Sequence, residues 1–515
     1  MREAKKKKPL GAAAPMIAVD RKGEKPLHRQ IYDALRAMIL ERRLQPGQQI
    51  PSTRALADQL GISRIPVLGA YSQLLAEGYI ESRSGAGTFV TSSLSDQFLS
   101  ARPAVAVAPS VVSDQATDAI SRVSRLLPLE GTPWFRGAGA FSVGQIAYDH
   151  FPFRVWSDLV TYHARRVRAS SMNYADPMGS EEFREVIAAY LRTARAVQCE
   201  ASQIMVVNGS QHGIDLSARV LLDPDCSVWI EEPGYVFLRH ALMLSGCRLV
   251  PVPVDSEGLD VAAGVKLCRD ARVAYVTPSH QYPLGATMSA ARRLQLLEWA
   301  HSVGAWIVED DYDSEYRYES MPVASMQGLD PGSRVIYIGT FSKTLFPSLR
   351  LGYLVIPPAL VGRFLAVRQT NDLSPSHLYQ AALADFITGG HFTRHVRKTR
   401  QLYAERRNAL AEALRKEFGE EIERSQMKIL GAEAGMHLVV TLPPGMSDQK
   451  ISARAAQEGL WLWPLSAAYA GSDVRQGFIL GFGGTKASEM PHQVRCMRKA
   501  MRAESGYRAR TQSGH

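Results

Sequence analysis

In Thr340-Phe341-Ser342-Lys343-Thr344-Leu345-Phe346-Pro347-Ser348-Leu349-Arg350, a lysine at the end of an apolar run is followed seven positions later by an arginine. That is odd for a core segment. It makes chemical sense if Lys343 forms a Schiff base with an aldehyde while Arg350 binds an anion on the same molecule, with Ser342 beside the lysine. Pyridoxal 5'-phosphate carries both groups. A lysine in that role needs a lowered pKa, which burial or a nearby cation supplies. The ring nitrogen of the cofactor needs a carboxylate, and Val308-Glu309-Asp310-Asp311-Tyr312 ends another apolar run 33 residues earlier. Asp310 is the expected ring-nitrogen partner, with Tyr312 on the ring hydroxyl. A phosphate needs backbone donors at a helix start, and Asn208-Gly209-Ser210-Gln211 offers Ser210 and Gln211 there. Tyr235, in Glu232-Pro233-Gly234-Tyr235, is placed to stack on the ring.

The elements that must hold these residues are legible as an alternation. The runs QIMVVN, SVWIEE, RLVPVPV, VAYVTP, AWIVEDD, VIYIGT and YLVIP are short and apolar, and stretches such as QHGIDLSARVLL and SAARRLQLLEWAHSVG lie between them. Such alternation predicts a mostly parallel α/β sheet covered on both faces. Ligands bind beyond the carboxyl ends of such strands, which is where the polar motifs fall.

A second chemistry occupies the first 90 residues. LHRQIYDALRAMILERRL has the apolar spacing of an amphipathic helix and stops at Pro46-Gly47. Ser52 and Ser63 stand where helix caps are expected, before TRALADQL and RIPVLGAYSQLLAEGY, with Gly61 between them. Two short helices joined by a tight turn predict a helix-turn-helix, and YIESRSGAGTFV predicts a small hairpin or wing. Arg64 and Ser63 at the start of the second helix suit base edges and phosphates, and Arg54 suits a phosphate. Arg83 and Gly87 fall on the wing.

Composition supports this division. At 515 residues the chain exceeds one ordinary core, and 46% hydrophobic with 21% charged residues reads as soluble and globular. Its formal charge is +10, and residues 1–90 hold 15 Lys/Arg, including Lys5 to Lys8, against 8 Asp/Glu. Most of the excess therefore sits in the small basic region, the pattern of a nucleic-acid binder. No apolar run reaches the ~18–20 residues that span a bilayer, and the basic start lacks the apolar segment of an export signal. Five cysteines without metal spacing read as reduced thiols in a cytoplasmic protein. The expected domains are a basic tail at 1–26, a winged helix-turn-helix at 27–90, a linker at 91–135 and a large α/β domain at 136–515.

The segment PSTRALADQLGISRIPVLGAYSQLLAEGYIESRSGAGTFV resembles the winged helix of the GntR regulators, whose pattern runs P-S-x-R-x-L-A, S-R-x-T-V, L-x-x-x-G and G-x-G-T-x-V. Pro66 departs from it, standing where the family usually has threonine. The large domain resembles the fold-type-I aminotransferases, which puts Ser210 and Gln211 on the phosphate cup and Tyr235 on the stacking position. Asp310, Lys343 and Arg350 fall on the ring-nitrogen, Schiff-base and phosphate positions. Tyr174, in Asn173-Tyr174-Ala175-Asp176-Pro177, resembles the tyrosine that reaches across a dimer to the partner's phosphate. His280-Gln281-Tyr282-Pro283-Leu284-Gly285 stands where aminotransferases have H-N-P-x-G, with His280 or Gln281 as the substitute for the missing asparagine.

A winged helix fused to such a domain is the layout of the MocR subfamily of GntR regulators. It implies a bacterial, cytoplasmic homodimer that binds double-stranded operator DNA and senses the cofactor or an amino-compound effector through the aldimine at Lys343. The alternative is an active aminotransferase with a DNA-binding extension. That reading needs an arginine for the substrate carboxylate. Arg475 lies near the required place, while alignment on Gly481 puts Gln476 there.

Overall fold

The computed structural model describes residues 17–21, 23–92, 121–127, 139–167, 172–318 and 324–505. The chain divides into two compact units, 1–119 and 120–515. Most of the expected linker, and Lys5 to Lys8, lie outside the described residues; within 121–127 there is one 3-10 turn, Ser124–Leu126.

In the first unit, helix α1 (Leu27–Leu40) buries Ile31, Leu35, Met38 and Ile39 along one stripe. Helix α2 (Thr53–Leu60) starts where Ser52 Oγ accepts from the Ala55 amide at 3.2 Å, and ends at Gly61, which adopts φ 60°. Helix α3 (Arg64–Ala76) packs Val67, Ala70, Tyr71 and Leu74 inward. Strands β1 (Gln49–Ile50), β2 (Ile80–Arg83) and β3 (Gly87–Val90) form an antiparallel sheet in the order β1-β3-β2. This is the expected winged helix. Its core also takes in Ile17 and Val19, from the stretch that the sequence reading assigned to the basic tail.

The second unit is built on an eight-stranded sheet of order β4-β11-β10-β9-β8-β5-β6-β7. Its strands are β4 (Ile204–Val207), β5 (Ser227–Glu232), β6 (Arg248–Asp255), β7 (Gly258–Leu259), β8 (Val273–Val276), β9 (Trp306–Asp311), β10 (Val335–Thr340) and β11 (Gly352–Val355). Each predicted apolar run is one of them. Strands β6, β5, β8, β9 and β10 pair in parallel, and β11 runs antiparallel between β10 and β4. Alternation along each strand serves two cores: Val228, Ile230, Tyr275 and Val308 pack on one face, Trp229, Ala274, Val276 and Ile307 on the other. The burial of both faces explains why the runs are continuously apolar. A smaller antiparallel sheet, β12 (Ile429–Leu430), β13 (His437–Thr441), β14 (Trp463–Pro464) and β15 (Gly477–Gly481), is ordered β12-β13-β15-β14.

Candidate functional site

Because β4, β5, β8, β9 and β10 point the same way, the segments that follow them meet at one edge of the sheet. Lys343 lies in the turn after β10. A Cβ on Gly144 would come within 2.7 Å of its Nζ, so the glycine keeps open the space around the amine. Burial pulls the ammonium below its ordinary range, and the carboxylates of Asp313 and Asp310 counter this only in part. A less basic amine spends more time as the neutral nucleophile.

Strand alternation gives two adjacent aspartates different fates. Asp311 points into the protein, where Arg195 donates to it at 2.7 and 3.1 Å and Tyr337 at 2.5 Å. Asp310 and Asp311 each keep a buried Oδ1 with no hydrogen-bond partner, but only Asp311 is tied to Arg195 and Tyr337 through its other oxygen. Burial first, then the neighbouring Asp311, Glu231 and Asp313, push the pKa of Asp310 up to about 7. A buried acceptor without a donor is costly. A protonated ring nitrogen is a donor of the kind Asp310 lacks, so the residues present fit the cofactor here.

The phosphate-cup candidates are equally open. Gly209 adopts φ 86°, and a Cβ there would lie 3.1 Å from both terminal nitrogens of Arg350. Arg350 Nη2 donates to the Asn208 carbonyl at 2.6 Å. Helix Ser210–Leu221 begins without a side-chain cap, and Ser342 Oγ and Gln211 Oε1 are buried without partners. An uncapped helix start beside a guanidinium is an anion site in its physical makeup. Sequence reasoning missed the frame behind the cup. Asn208 Nδ2 donates to Asp372 at 2.9 Å, and Asp372 pairs with buried Arg368 at 2.5 Å. Arg368 in turn donates to the Val206 carbonyl at 2.9 Å.

An aromatic group closes the edge. The Tyr235 ring meets Tyr282 edge-on at 5.7 Å, and Tyr282 meets Tyr312 at 6.1 Å and His437 at 5.4 Å. Tyr312 Oη lies 3.0 Å from His280 Nδ1, which is also 3.2 Å from Asp313. Of the two substitutes offered for the missing asparagine, Gln281 is corrected. Its amide donates to Glu231, Pro233 and Tyr282 and accepts from the Leu284 amide, so it is spent on shaping its own loop. Asp313, Tyr282 and His437 were not singled out from the sequence. Only position beside the HQYPLG and EDDY motifs could have marked the first two, and no spacing marks His437.

Two candidates stand apart from this cluster. Tyr174 is 83% exposed, in a loop that lines a separate open pocket with Asp176 and His377. Arg475 is exposed, whereas Gln476 accepts from the Asp448 amide at 3.0 Å and is a structural residue.

On the winged helix, Arg54, Ser63, Arg64, Arg83 and Gly87 are all exposed. The expectation that Ser63 caps its helix is corrected. It has the extended backbone of an N-cap, but its side chain makes no capping hydrogen bond. Arg64 Nε donates to Thr53 Oγ1 at 3.0 Å, and Arg83 lies over the Phe89 ring and pairs with Glu81 at 2.6 Å. Gly87 is demanded by the wing itself. It has φ 113°, and a Cβ would sit 2.7 Å from Gln49 Nε2.

Residues 27–90 match the family of bacterial regulatory proteins, gntR family, and residues 140–478 match aminotransferase class I and II. The chain is 40% identical over 490 residues to a probable rhizopine catabolism regulatory protein MocR of Rhizobium meliloti, covering 95% of this chain and 96% of that one. It is 29% identical over 454 residues to the HTH-type pyridoxine biosynthesis transcriptional regulator PdxR of Corynebacterium glutamicum, covering 88% and 91%. Among solved structures it is similar to Pyrococcus horikoshii kynurenine aminotransferase in complex with PMP, with a TM-score of 0.68 and 27% identity over 76% of this chain and 98% of that chain.

Proposed function

The chain belongs to the MocR-type regulators of the gntR family, with their aminotransferase class I and II domain, and from that membership we propose how its two units work together. It is a DNA-binding transcription regulator that carries pyridoxal phosphate. The finer reading is that it acts in the cytoplasm as a homodimer on operator DNA, and that an amino compound or the cofactor itself is the signal. The observation that carries the cofactor assignment, on which the signal depends, is the buried, partnerless Oδ1 of Asp310 at the same strand edge as the Lys343 amine.

Bound there, pyridoxal phosphate supplies an aldehyde that condenses with amines. Lys343 would hold it covalently, Asp310 would accept from the ring nitrogen, and Tyr312 with His280 would orient the ring hydroxyl. Tyr235 would cover one ring face. Ser210, Gln211, Ser342 and Arg350 would hold the phosphate, with Tyr174 offered to the other protomer. With the cofactor bound, an amine effector would act by exchange with Lys343, whose amine it would release. That exchange changes DNA binding only if the effector prefers one arrangement of the protein over another, and operator DNA must then change effector affinity by the same factor.

The regulatory reading is favoured over full transamination at the carboxylate anchor. Arg475 is exposed, and Gln476 is held by the Asp448 amide. The test is Lys343→Ala. The variant should lose the visible absorbance of the bound cofactor, and borohydride should no longer fix the cofactor's mass on the tryptic peptide containing position 343. Nonspecific DNA binding should persist. Unchanged absorbance in the variant overturns the assignment.

A further inference from the structure

We propose that Ile65 reads the 5-methyl group of a thymine in the operator's major groove and so sets base preference. The inference rests on the DNA-reading role above and deepens it. Helix α3 buries Val67, Ala70, Tyr71 and Leu74 on one side. On the other side Ile65 is 78% exposed and Leu68, one turn on, is 41% exposed. Ile65 is the most exposed large hydrophobic residue of the described winged helix, and it lies in the first turn of α3. In a helix-turn-helix that turn meets base edges.

The chemistry of the turn narrows what it can read. Pro66 follows Ile65 and has neither an amide hydrogen nor a polar side chain. The Arg64 side chain is drawn toward α2 through Thr53 Oγ1 at 3.0 Å. The side chains of Ile65 and Pro66 therefore present no donor and no acceptor. Every base pair shows donors and acceptors in the major groove, and the only apolar group there is the thymine methyl. An isoleucine in the first turn matches that group and no other.

Deoxyuridine differs from thymidine in a duplex by this methyl alone, which gives a direct test. The full-length, cofactor-loaded protein would enrich duplexes from a random-sequence pool, and each dT of the winner would then be replaced singly by dU. At one position per half-site, dU should weaken the wild-type protein by about four-fold, the worth of one buried methyl group. Ile65→Ala should be indifferent to that replacement, while Ile65→Val should remain sensitive. The side chain is 78% exposed, so unfolding temperatures should stay close to the wild type. Sensitivity to no dU, or equal sensitivity in Ile65→Ala, overturns the proposal and leaves DNA binding standing. Failure to enrich any duplex removes the DNA-reading premise and the proposal with it.

Discussion

Burial pushes the pKa values of three carboxyls, those of the buried Glu231 and Glu309 and the half-buried Asp310, to about 7. Glu231 accepts from Thr277 and Gln281, and Glu309 from the Met326 and Gln327 amides, so each has fixed donors. Asp310 alone of the three has an orphaned oxygen. A carboxyl raised on folding binds its proton more tightly in the native state. The stability it contributes is therefore present below its ordinary value of 3.8 and lost as pH rises through about 7. In the cofactor-free protein, Asp310→Asn should escape this loss. Its melting temperature relative to wild type should climb by a few degrees between about pH 5 and about pH 8. A difference that stays flat across that window means Asp310 does not titrate there. Residue types and order in the sequence marked Asp310 because a strand-end carboxylate has a recognisable place relative to the lysine. They could not say that Asp311 next door is tied through one oxygen to Arg195 and Tyr337, since those partners are 116 and 26 residues away.

Elements carry the information that separates a motif from a working site. The strands were legible because a sheet buried on both faces leaves unbroken apolar runs, and their carboxyl ends located the polar motifs without any structure. The braces between elements were not legible, because hydrogen bonds from helix Val361–Asn371 and the following Asp372 to the cup after β4 leave no periodic trace. Asn208 is the link. Its carbonyl accepts from Arg350 and its side chain donates to Asp372, so one residue ties the cup both to its guanidinium and to the helix behind it. Asn208→Ala keeps the carbonyl and removes only the tether, and Asp372 keeps Arg368 as its partner. Cofactor titrated into the variant should bind about tenfold more weakly, as expected when a hydrogen bond to a charged group is lost. The same lost bond should also lower the unfolding temperature, by about a few degrees at most. Unaltered cofactor affinity would make this network a matter of stability alone.

For the whole molecule, the two chemistries draw on separate resources of the chain. The basic excess of residues 1–90, 15 Lys/Arg against 8 Asp/Glu, bears on a polyanion. The strand-edge crevice of the second unit bears on a small molecule through the half-buried Lys343, Asp310 and Tyr235, which salt screens less than the exposed winged-helix arginines. Added salt should therefore weaken operator binding steeply, by release of counterions from the phosphates, while the visible absorbance of the bound cofactor stays constant. Arg54 is exposed near the start of α2, where it is proposed to meet a phosphate and no base. Arg54→Ala should weaken binding to all sequences alike and lower the slope of log affinity against log salt by about one. Cofactor absorbance should be untouched. Lys343→Ala should do the reverse, losing the absorbance while keeping the full salt slope. If Arg54→Ala changes which sequences are preferred and leaves the slope intact, that arginine reads bases. The division between a positioning α2 and a reading α3 would then have to be redrawn.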